Sequence, residues 1–197
     1  MRIVLSDFMS LDGVVQAPGG REEDTDGGFA HGGWSMPFFD PDVMGSAIGE
    51  AMGKTEALLF GRRTWQTMAA AWPERAGDPF ADQMNAFPKH VASRTLTQDD
   101  LDWPNSTLLP PEDAIGAVRA LRAQPGGDIN VMGSPSLAAQ LIENDLVDEY
   151  LFMVEPIILG GGKRLFPSDG RARPLELVRT ATTSTGVLIC AYRPTGG

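Results

Sequence analysis

Apolar residues along this chain follow two different periods, and each period predicts a different kind of element. Short apolar runs bounded by turn residues are typical of buried strands, whereas apolar residues recurring every three or four positions indicate helices. The short runs lie at residues 2–8, 57–60, 89–93 and 129–132. The helical spacing covers residues 42–54, 64–71, the stretch from Pro111 to the Gly126-Gly127 pair, and residues 135–143.

The C-terminal third has a different pattern. A long apolar run covers residues 147–159, where Glu155-Pro156 interrupts it, and three glycines follow it. Residues 175–183 and 187–193 fit a hairpin around Thr185-Gly186. Because strands and helices alternate before this hairpin, we predict an α/β fold in one domain over residues 1–197. Its sheet should be parallel in the middle, with an antiparallel C-terminal edge.

The longest segment without a clear period is Gly-rich and covers residues 13–34. A loop of this length inside a compact domain is either disordered or functional. Phe29 and Trp34 favour a functional loop, since purely solvated linkers rarely carry aromatic residues.

Two predicted strands end in glycine and run directly into a helix. The first turn of a helix leaves backbone N–H groups unpaired, and the helix dipole adds positive potential, so such turns bind phosphate. Two turns of this kind, one with paired arginines and one with hydroxyl groups, indicate a phosphorylated dinucleotide. The residues concerned are Gly61, Arg62, Arg63 and Thr64 in the first turn, and Gly133, Ser134, Pro135, Ser136 and Leu137 in the second.

Each of these features also has an ordinary structural explanation. Arg62 and Arg63 could be solvated at a helix start, although cations there oppose the helix dipole. Ser93-Arg94 follows a predicted strand, where it could form a plain turn or contact a ligand at the carboxyl edge of the sheet. Asp12 precedes a glycine, and Asp-Gly is first of all a turn signal.

Composition and charge exclude several classes of ligand and partner for this chain. The net charge of −10 provides no basic surplus for nucleic acid. Cys190 is the only cysteine, so no intrachain disulfide forms, and with two histidines no zinc site is expected. The N-terminal residues lack the pattern of a signal peptide, and no stretch approaches the roughly 20 apolar residues that span a membrane. We therefore expect a soluble cytoplasmic protein without nucleic-acid or membrane partners.

Five segments in a fixed order carry a family resemblance. They are Met9-Ser10-Leu11-Asp12-Gly13, Gly61-Arg62-Arg63-Thr64-Trp65, Val91-Ala92-Ser93-Arg94, Val131-Met132-Gly133-Ser134 and Pro156-Ile157-Ile158-Leu159-Gly160-Gly161-Gly162. The set resembles the dihydrofolate reductase superfamily, and more closely its branch with the reductase domain of the bifunctional riboflavin-biosynthesis deaminase-reductase. The resemblance implies a three-layer fold, with about eight strands in a mixed sheet and helices on both faces. It also implies NADPH as the cofactor, whose hydride passes to a heterocycle.

The resemblance assigns roles to the turns described above. Arg62, Arg63 and Thr64, after Gly61, would hold the 2′-phosphate and the pyrophosphate, and Ser93 and Arg94 would flank the adenosine 2′-phosphate. The segment from Gly133 through Ser134, Pro135 and Ser136 to Leu137 would cradle the pyrophosphate. Val15 would line the nicotinamide side.

The chain also departs from the folate-reducing members of the superfamily. Their substrate-binding carboxylate follows a Met-Pro-Trp segment, and here that position falls on Val43, after Met36-Pro37-Phe38. Asp40 or Asp42 could compensate. The insertion over residues 16–34 would reshape the substrate pocket, which makes Trp34 and Asp40 the candidate substrate contacts.

These features lead to three functional hypotheses. The leading one is an NADPH-dependent reductase of the 5-amino-6-(5-phosphoribosylamino)uracil reductase type, acting on an aminopyrimidine or related heterocycle, with Asp12 orienting substrate or delivering a proton. A pterin reductase of the dihydrofolate reductase type is the second. The third is a protein that binds NADPH without reducing a substrate. The riboflavin-type relatives pair as dimers, so the resemblance also implies a homodimer.

Overall fold

The computed structural model describes residues 1–195 and contains eight strands and five α-helices. The strands are β1 (Arg2–Ser10), β2 (Thr55–Gly61), β3 (Lys89–Ala92), β4 (Ser106–Leu108), β5 (Asp128–Met132), β6 (Glu149–Glu155), β7 (Leu175–Thr182) and β8 (Leu188–Pro194). The helices are α1 (Val43–Met52), α2 (Arg62–Ala71), α3 (Pro79–Ala86), α4 (Ala114–Arg122) and α5 (Pro135–Glu143).

All eight strands form one sheet, in the order β4-β3-β2-β5-β1-β6-β8-β7. Neighbours from β4 to β6 are parallel, and β8 is antiparallel to both β6 and β7. The sequence-based prediction of a mixed sheet with an antiparallel C-terminal edge is therefore confirmed. The β7–β8 hairpin turns at Gly186, whose φ of 87° suits glycine.

Helices cover both faces of the sheet. On one face, Leu58 and Phe60 of β2 pack with Met52 of α1, Trp65 of α2 and Met84 of α3. The residues of the opposite face pack against α4 and α5. They include Ile3 and Leu5 of β1, Leu59 of β2, Val131 of β5, Val118 of α4 and Leu141 of α5.

The two central strands β2 and β5 lie side by side, but their connections leave in opposite directions. The chain passes from β2 into α2 on one face and on to β3, and from β5 into α5 on the other face and on to β6. Such a topological switch point opens a crevice at the carboxyl ends of the strands, which is where ligands bind in open α/β sheets. Both predicted phosphate turns lie at this point.

Several predicted boundaries shift in the structure. Strand β1 continues two residues further, to Ser10, and α2 already begins at Arg62. Helix α4 begins at Ala114 instead of Pro111, because Asp113 caps it by accepting a hydrogen bond from the N–H of Gly116. The apolar run over 147–159 is a strand only from Glu149 to Glu155. Its remaining residues belong to the connections on either side.

The sequence patterns missed two short elements. Helix α3 has only eight residues, and its start depends on Asp78, which accepts hydrogen bonds from the N–H groups of Phe80 and Ala81. Strand β4 has three residues at the edge of the sheet, too few for a period to be visible. Within residues 1–195, no helix combines the length and the apolar character needed to cross a bilayer.

Candidate cofactor and substrate site

The two glycine turns at the switch point are joined directly to each other. The backbone N–H of Gly61 donates to Oγ of Ser134 at 2.8 Å, and the N–H of Ser134 donates to Oγ1 of Thr64 at 3.0 Å. The Ser134 hydroxyl therefore holds the first turn in place, and the Thr64 hydroxyl holds the second. The structure brings together the two turns that the sequence predicts to share one ligand.

The second turn depends on its left-handed backbone. Gly133 and Ser134 have φ angles of +59° and +60°. A Cβ atom on Gly133 would lie 3.2 Å from Cγ2 of Thr64, so glycine is required both for conformation and for close approach. The N–H of Leu137 returns to the carbonyl of Ser134, and the Leu137 side chain is buried in the core. Leu137 thus supports the turn, and its predicted contact with cofactor stays a prediction.

Three arginines accompany the turns, but their surroundings differ. The side chains of Arg62 and Arg94 make no hydrogen bond or ion pair with any residue of the described part of the chain, which leaves both guanidinium groups available to an anion. Ser93, between β3 and Arg94, is buried, and its Oγ accepts from the N–H groups of Thr95 and Leu96. Ser93 therefore shapes the turn from which Arg94 extends.

The third arginine, Arg63, is already paired within the protein. Its guanidinium contacts the carboxylates of Asp24 and Asp26 in the Gly-rich segment. The same two carboxylates bind the Lys163 ammonium group. Gln16 completes this contact, since its amide donates to the carbonyls of Asp24 and Asp26 and accepts from the N–H of Lys163. The Gly-rich segment is therefore folded onto the cationic edge of the site.

Val15 and Trp34 lie at opposite ends of the same segment, and both are buried. The N–H of Val15 donates to the carbonyl of Lys163 at 2.9 Å, which places Val15 beside the loop that follows β6. The indole N–H of Trp34 donates to the carbonyl of Gln16 at 2.7 Å. Trp34 thus closes the segment on itself, and its contact with substrate stays a prediction.

Asp12 binds the chain through both oxygens. Its Oδ1 accepts from the Ser10 hydroxyl at 2.8 Å and from the N–H of Leu159, and its Oδ2 accepts from the N–H of Gly160. These bonds, with that of Leu159 the largest cause, lower the pKa of Asp12 to about 2. A carboxylate so strongly held in its ionised form is a poor proton donor near neutral pH. The geometry favours a role in positioning the loop after β6.

Asp40 is also engaged within the protein. Its Oδ1 accepts from the N–H groups of Asp42 and Val43 at the start of α1, and its Oδ2 accepts from the N–H and the hydroxyl of Ser184. These bonds lower the pKa of Asp40. The carboxylate ties α1 to the β7–β8 turn, and substrate binding by Asp40 stays a prediction.

Sequence reasoning missed a buried acid in the same region. Glu155 ends β6 and is fully buried, and its Oε1 accepts a hydrogen bond from the hydroxyl of Ser35 at 2.7 Å. Burial raises the pKa of Glu155 to about 7. The available signal was a charged residue inside the apolar run of residues 147–159, which the sequence analysis treated only as an interruption.

A sequence model of the RibD C-terminal domain family matches residues 2–189. The chain belongs to this family. The uncharacterized protein YyaP of Bacillus subtilis is 28% identical to this chain over 200 residues, which cover 99% of this chain and 96% of YyaP.

Solved structures show the same fold at low identity. A pyrimidine reductase-like protein from Corynebacterium diphtheriae superimposes with a TM-score of 0.63 at 14% identity, over 100% of this chain and 92% of the other. Dihydrofolate reductase from Enterococcus faecalis, solved as a complex with NADP(H), gives a TM-score of 0.60 at 13% identity, over 99% and 97% of the two chains. This member of the RibD C-terminal domain family therefore has the dihydrofolate reductase-like fold.

Proposed function

We propose that this protein is an NADPH-dependent reductase that transfers hydride to an aminopyrimidine or related heterocycle, of the kind reduced in riboflavin biosynthesis. The observation that carries the proposal is the pair of interlocked turns at the switch point, where Thr64 and Ser134 join two helix N-termini beside three arginines. Membership in the RibD C-terminal domain family and the shared fold support the same reaction class.

The residues present fit a 2′-phosphorylated dinucleotide. The N-terminus of α5 follows the second turn, where helix backbone N–H groups attract phosphate, and glycine at position 133 lets the Thr64 side chain pack closely against this turn. Arg62 and Arg94 would bind phosphate oxygens by charge-assisted hydrogen bonds. The nicotinamide ring supplies the hydride when it is bound, and the protein's contribution is to hold and orient it.

The cofactor assignment is tested by its phosphate preference. Each charge-assisted hydrogen bond to the 2′-phosphate should contribute about 1.5–3 kcal/mol, so NADPH should bind at least about tenfold more tightly than NADH. Arg94→Gln should weaken NADPH binding about tenfold and leave NADH binding unchanged. Calorimetric titration of both cofactors measures these affinities.

A matched control is Arg119→Gln, which removes an arginine on α4 that hydrogen-bonds Asn144 outside the predicted site. This variant should bind NADPH as the parent protein does. Equal affinity of the parent protein for NADPH and NADH would contradict the assignment.

The three hypotheses, aminopyrimidine reductase, pterin reductase and non-catalytic NADPH-binding protein, differ in the substrate that each predicts. The pterin reductase hypothesis is weakened by Val43 at the acid position of the folate-reducing relatives, and by the engagement of Asp40 with Ser184. Screening pterins and aminopyrimidines for NADPH oxidation distinguishes these two. A protein that binds NADPH tightly and oxidises it with no compound of either class would fit the non-catalytic hypothesis.

A further inference from the structure

Glu155 combines complete burial with an unused hydrogen-bonding oxygen. Its side chain is 0% exposed, and it lies opposite Ser10 in the pairing of β6 with β1. One carboxyl oxygen accepts from the Ser35 hydroxyl, whereas Oε2 is buried without a partner among residues 1–195. A buried acceptor without a donor costs free energy, so its presence in a native protein requires an explanation, and a functional role is one of them.

The carboxyl group lies on the face of the sheet that α1 covers. Side chains alternate along a strand, so Glu155 shares its face with Leu151 and Met153, which pack against Met44 of α1. Helix α1 begins with Val43 and has no acidic residue in its first turn. The buried acid of this region is therefore on the strand that faces the helix.

The charged groups near Glu155 are acidic, and the Ser35 hydroxyl and the backbone N–H groups of Met9 and Glu155 partly oppose the effect of burial on its pKa. Asp7 on β1 is affected by the charges of both Glu155 and Glu23, and burial raises the pKa values of all three groups. The Val43 and Met44 side chains of α1 add no charge, and among the described residues no lysine or arginine pairs with Glu155. With a pKa of about 7, this carboxyl group gains or loses a proton within the physiological range.

We propose that Glu155 is the substrate-recognising acid of this protein, binding through its carboxylate the adjacent ring N–H and exocyclic amino group of an aminopyrimidine-type heterocycle. The inference rests on the proposed function for its substrate class. A carboxylate accepts two parallel hydrogen bonds from such a pair of donors, and Oε2 is the acceptor that has no donor within the described residues.

For substrate to reach the buried Glu155, the segment that carries Ser35 would have to move away from it. This segment includes a 3₁₀ turn, Met36–Phe38, and it exposes the side chains of Met36 and Phe39. The Ser35 hydroxyl donates to Oε1 of Glu155 in the structure, so it occupies a position that a substrate donor would take. Removing this hydroxyl should free the carboxylate without removing the acid.

The test uses 6-aminouracil as a probe, titrated by calorimetry into the protein–NADPH complex between pH 5.5 and 8. We expect binding to strengthen as the pH rises through about 7, because the ionised carboxylate is the acceptor. Glu155→Gln should weaken probe binding at least about tenfold at pH 8 and remove the pH dependence, with NADPH affinity unchanged. Uracil, which lacks the amino group, should bind both proteins weakly.

Two further variants separate recognition from loop closure. Ser35→Ala should keep or strengthen probe binding, since the carboxyl group remains and is released. Glu149→Gln, on the same strand at its opposite end, removes an acid that pairs with Arg2 and Arg193, and it should bind the probe like the parent protein. A loss in Ser35→Ala equal to that in Glu155→Gln would show a closure role only and overturn the proposal.

A measurement on the parent protein keeps the proposal testable if Glu155→Gln fails to fold. With carboxyl-labelled glutamate, NMR titration should show that 6-aminouracil lowers the pKa of Glu155. An unchanged pKa, absence of probe binding to the NADPH complex, or parent-like probe binding by Glu155→Gln would overturn the proposal. Failure of the parent protein to bind NADPH would instead overturn the proposed function.

Discussion

The carboxylate of Asp12 illustrates how a single residue fixes the connection after a strand. Two backbone N–H groups, of Leu159 and Gly160, and the hydroxyl of Ser10 all donate to it. The ion pair with Arg164, at 3.6 Å and with an exposed arginine, adds little to this arrangement. The group therefore links the end of β1 to the loop that follows β6.

Asp12→Asn should destabilise the fold by about 1–3 kcal/mol, because the amide places an NH₂ group against a backbone donor. Because the pKa of Asp12 is lowered from 3.8 to about 2, its contribution to the free energy of unfolding should depend on pH. Its stabilisation is present above pH 4 and is lost as the pH falls towards 2, and the variant should lack this loss. Thermal unfolding at several pH values measures both effects.

The control is Asp99→Asn, at an exposed aspartate whose side chain makes no hydrogen bond within the described residues. This change should leave stability unaltered. A parent-like stability for Asp12→Asn together with turnover about 10²-fold lower would instead support the catalytic role predicted from the sequence.

At the scale of elements, the contact between the β2–α2 and β5–α5 turns sets the geometry of the cofactor site. Gly133→Ala places a side chain on left-handed backbone and presses it against Thr64, so it should destabilise the protein by about 1–2 kcal/mol. NADPH binding should weaken about tenfold, equivalent to about 1.4 kcal/mol. Thermal unfolding and cofactor titration measure the two effects.

Gly45→Ala provides the comparison within α1, where an added Cβ has no neighbour within 4 Å. It should stabilise the helix by about 0.5–1 kcal/mol and leave NADPH binding unchanged. If Gly133→Ala behaved like Gly45→Ala, the interlocking of the two turns would have no importance for the cofactor.

The elements that were predictable share a strong local signal. The strand–glycine–helix junctions at Gly61 and Gly133 stand out in the sequence, and so does the hairpin turn at Gly186. The pairing of Arg63 with Asp24 and Asp26 had no such signal, because contacts across about 40 residues depend on how a loop folds. Glu155 was missed because a charged residue in a strand resembles a strand end.

At the scale of the whole molecule, β7 is an open edge strand. Its Leu177 and Val178 side chains are 50% and 42% exposed, and no strand pairs with its outer side in the described chain. Exposed apolar edges are usually covered, so this edge is a candidate surface for the homodimer that the family resemblance implies. The dimer stays a prediction.

Leu177→Lys should weaken self-association at least about tenfold without unfolding the monomer, because the side chain is already half-exposed. Sedimentation equilibrium across a concentration series measures the dissociation constant. Thr107→Lys, on the exposed side of β4 at the other edge of the sheet, adds the same charge and should have no effect. A parent protein of 21.1 kDa at micromolar concentration would contradict the dimer.

The pairing of Asp24 and Asp26 with Arg63 and Lys163 changes what an incoming phosphate encounters. These carboxylates act as built-in counter-ions, so a phosphate that binds Arg63 replaces an existing anion instead of neutralising a bare cation. Such an exchange releases few ions from solution, and its affinity should respond only weakly to ionic strength. The net electrostatic attraction for the phosphorylated ligand then comes from Arg62 and Arg94. Within the described chain, no carboxylate pairs with either of these two arginines.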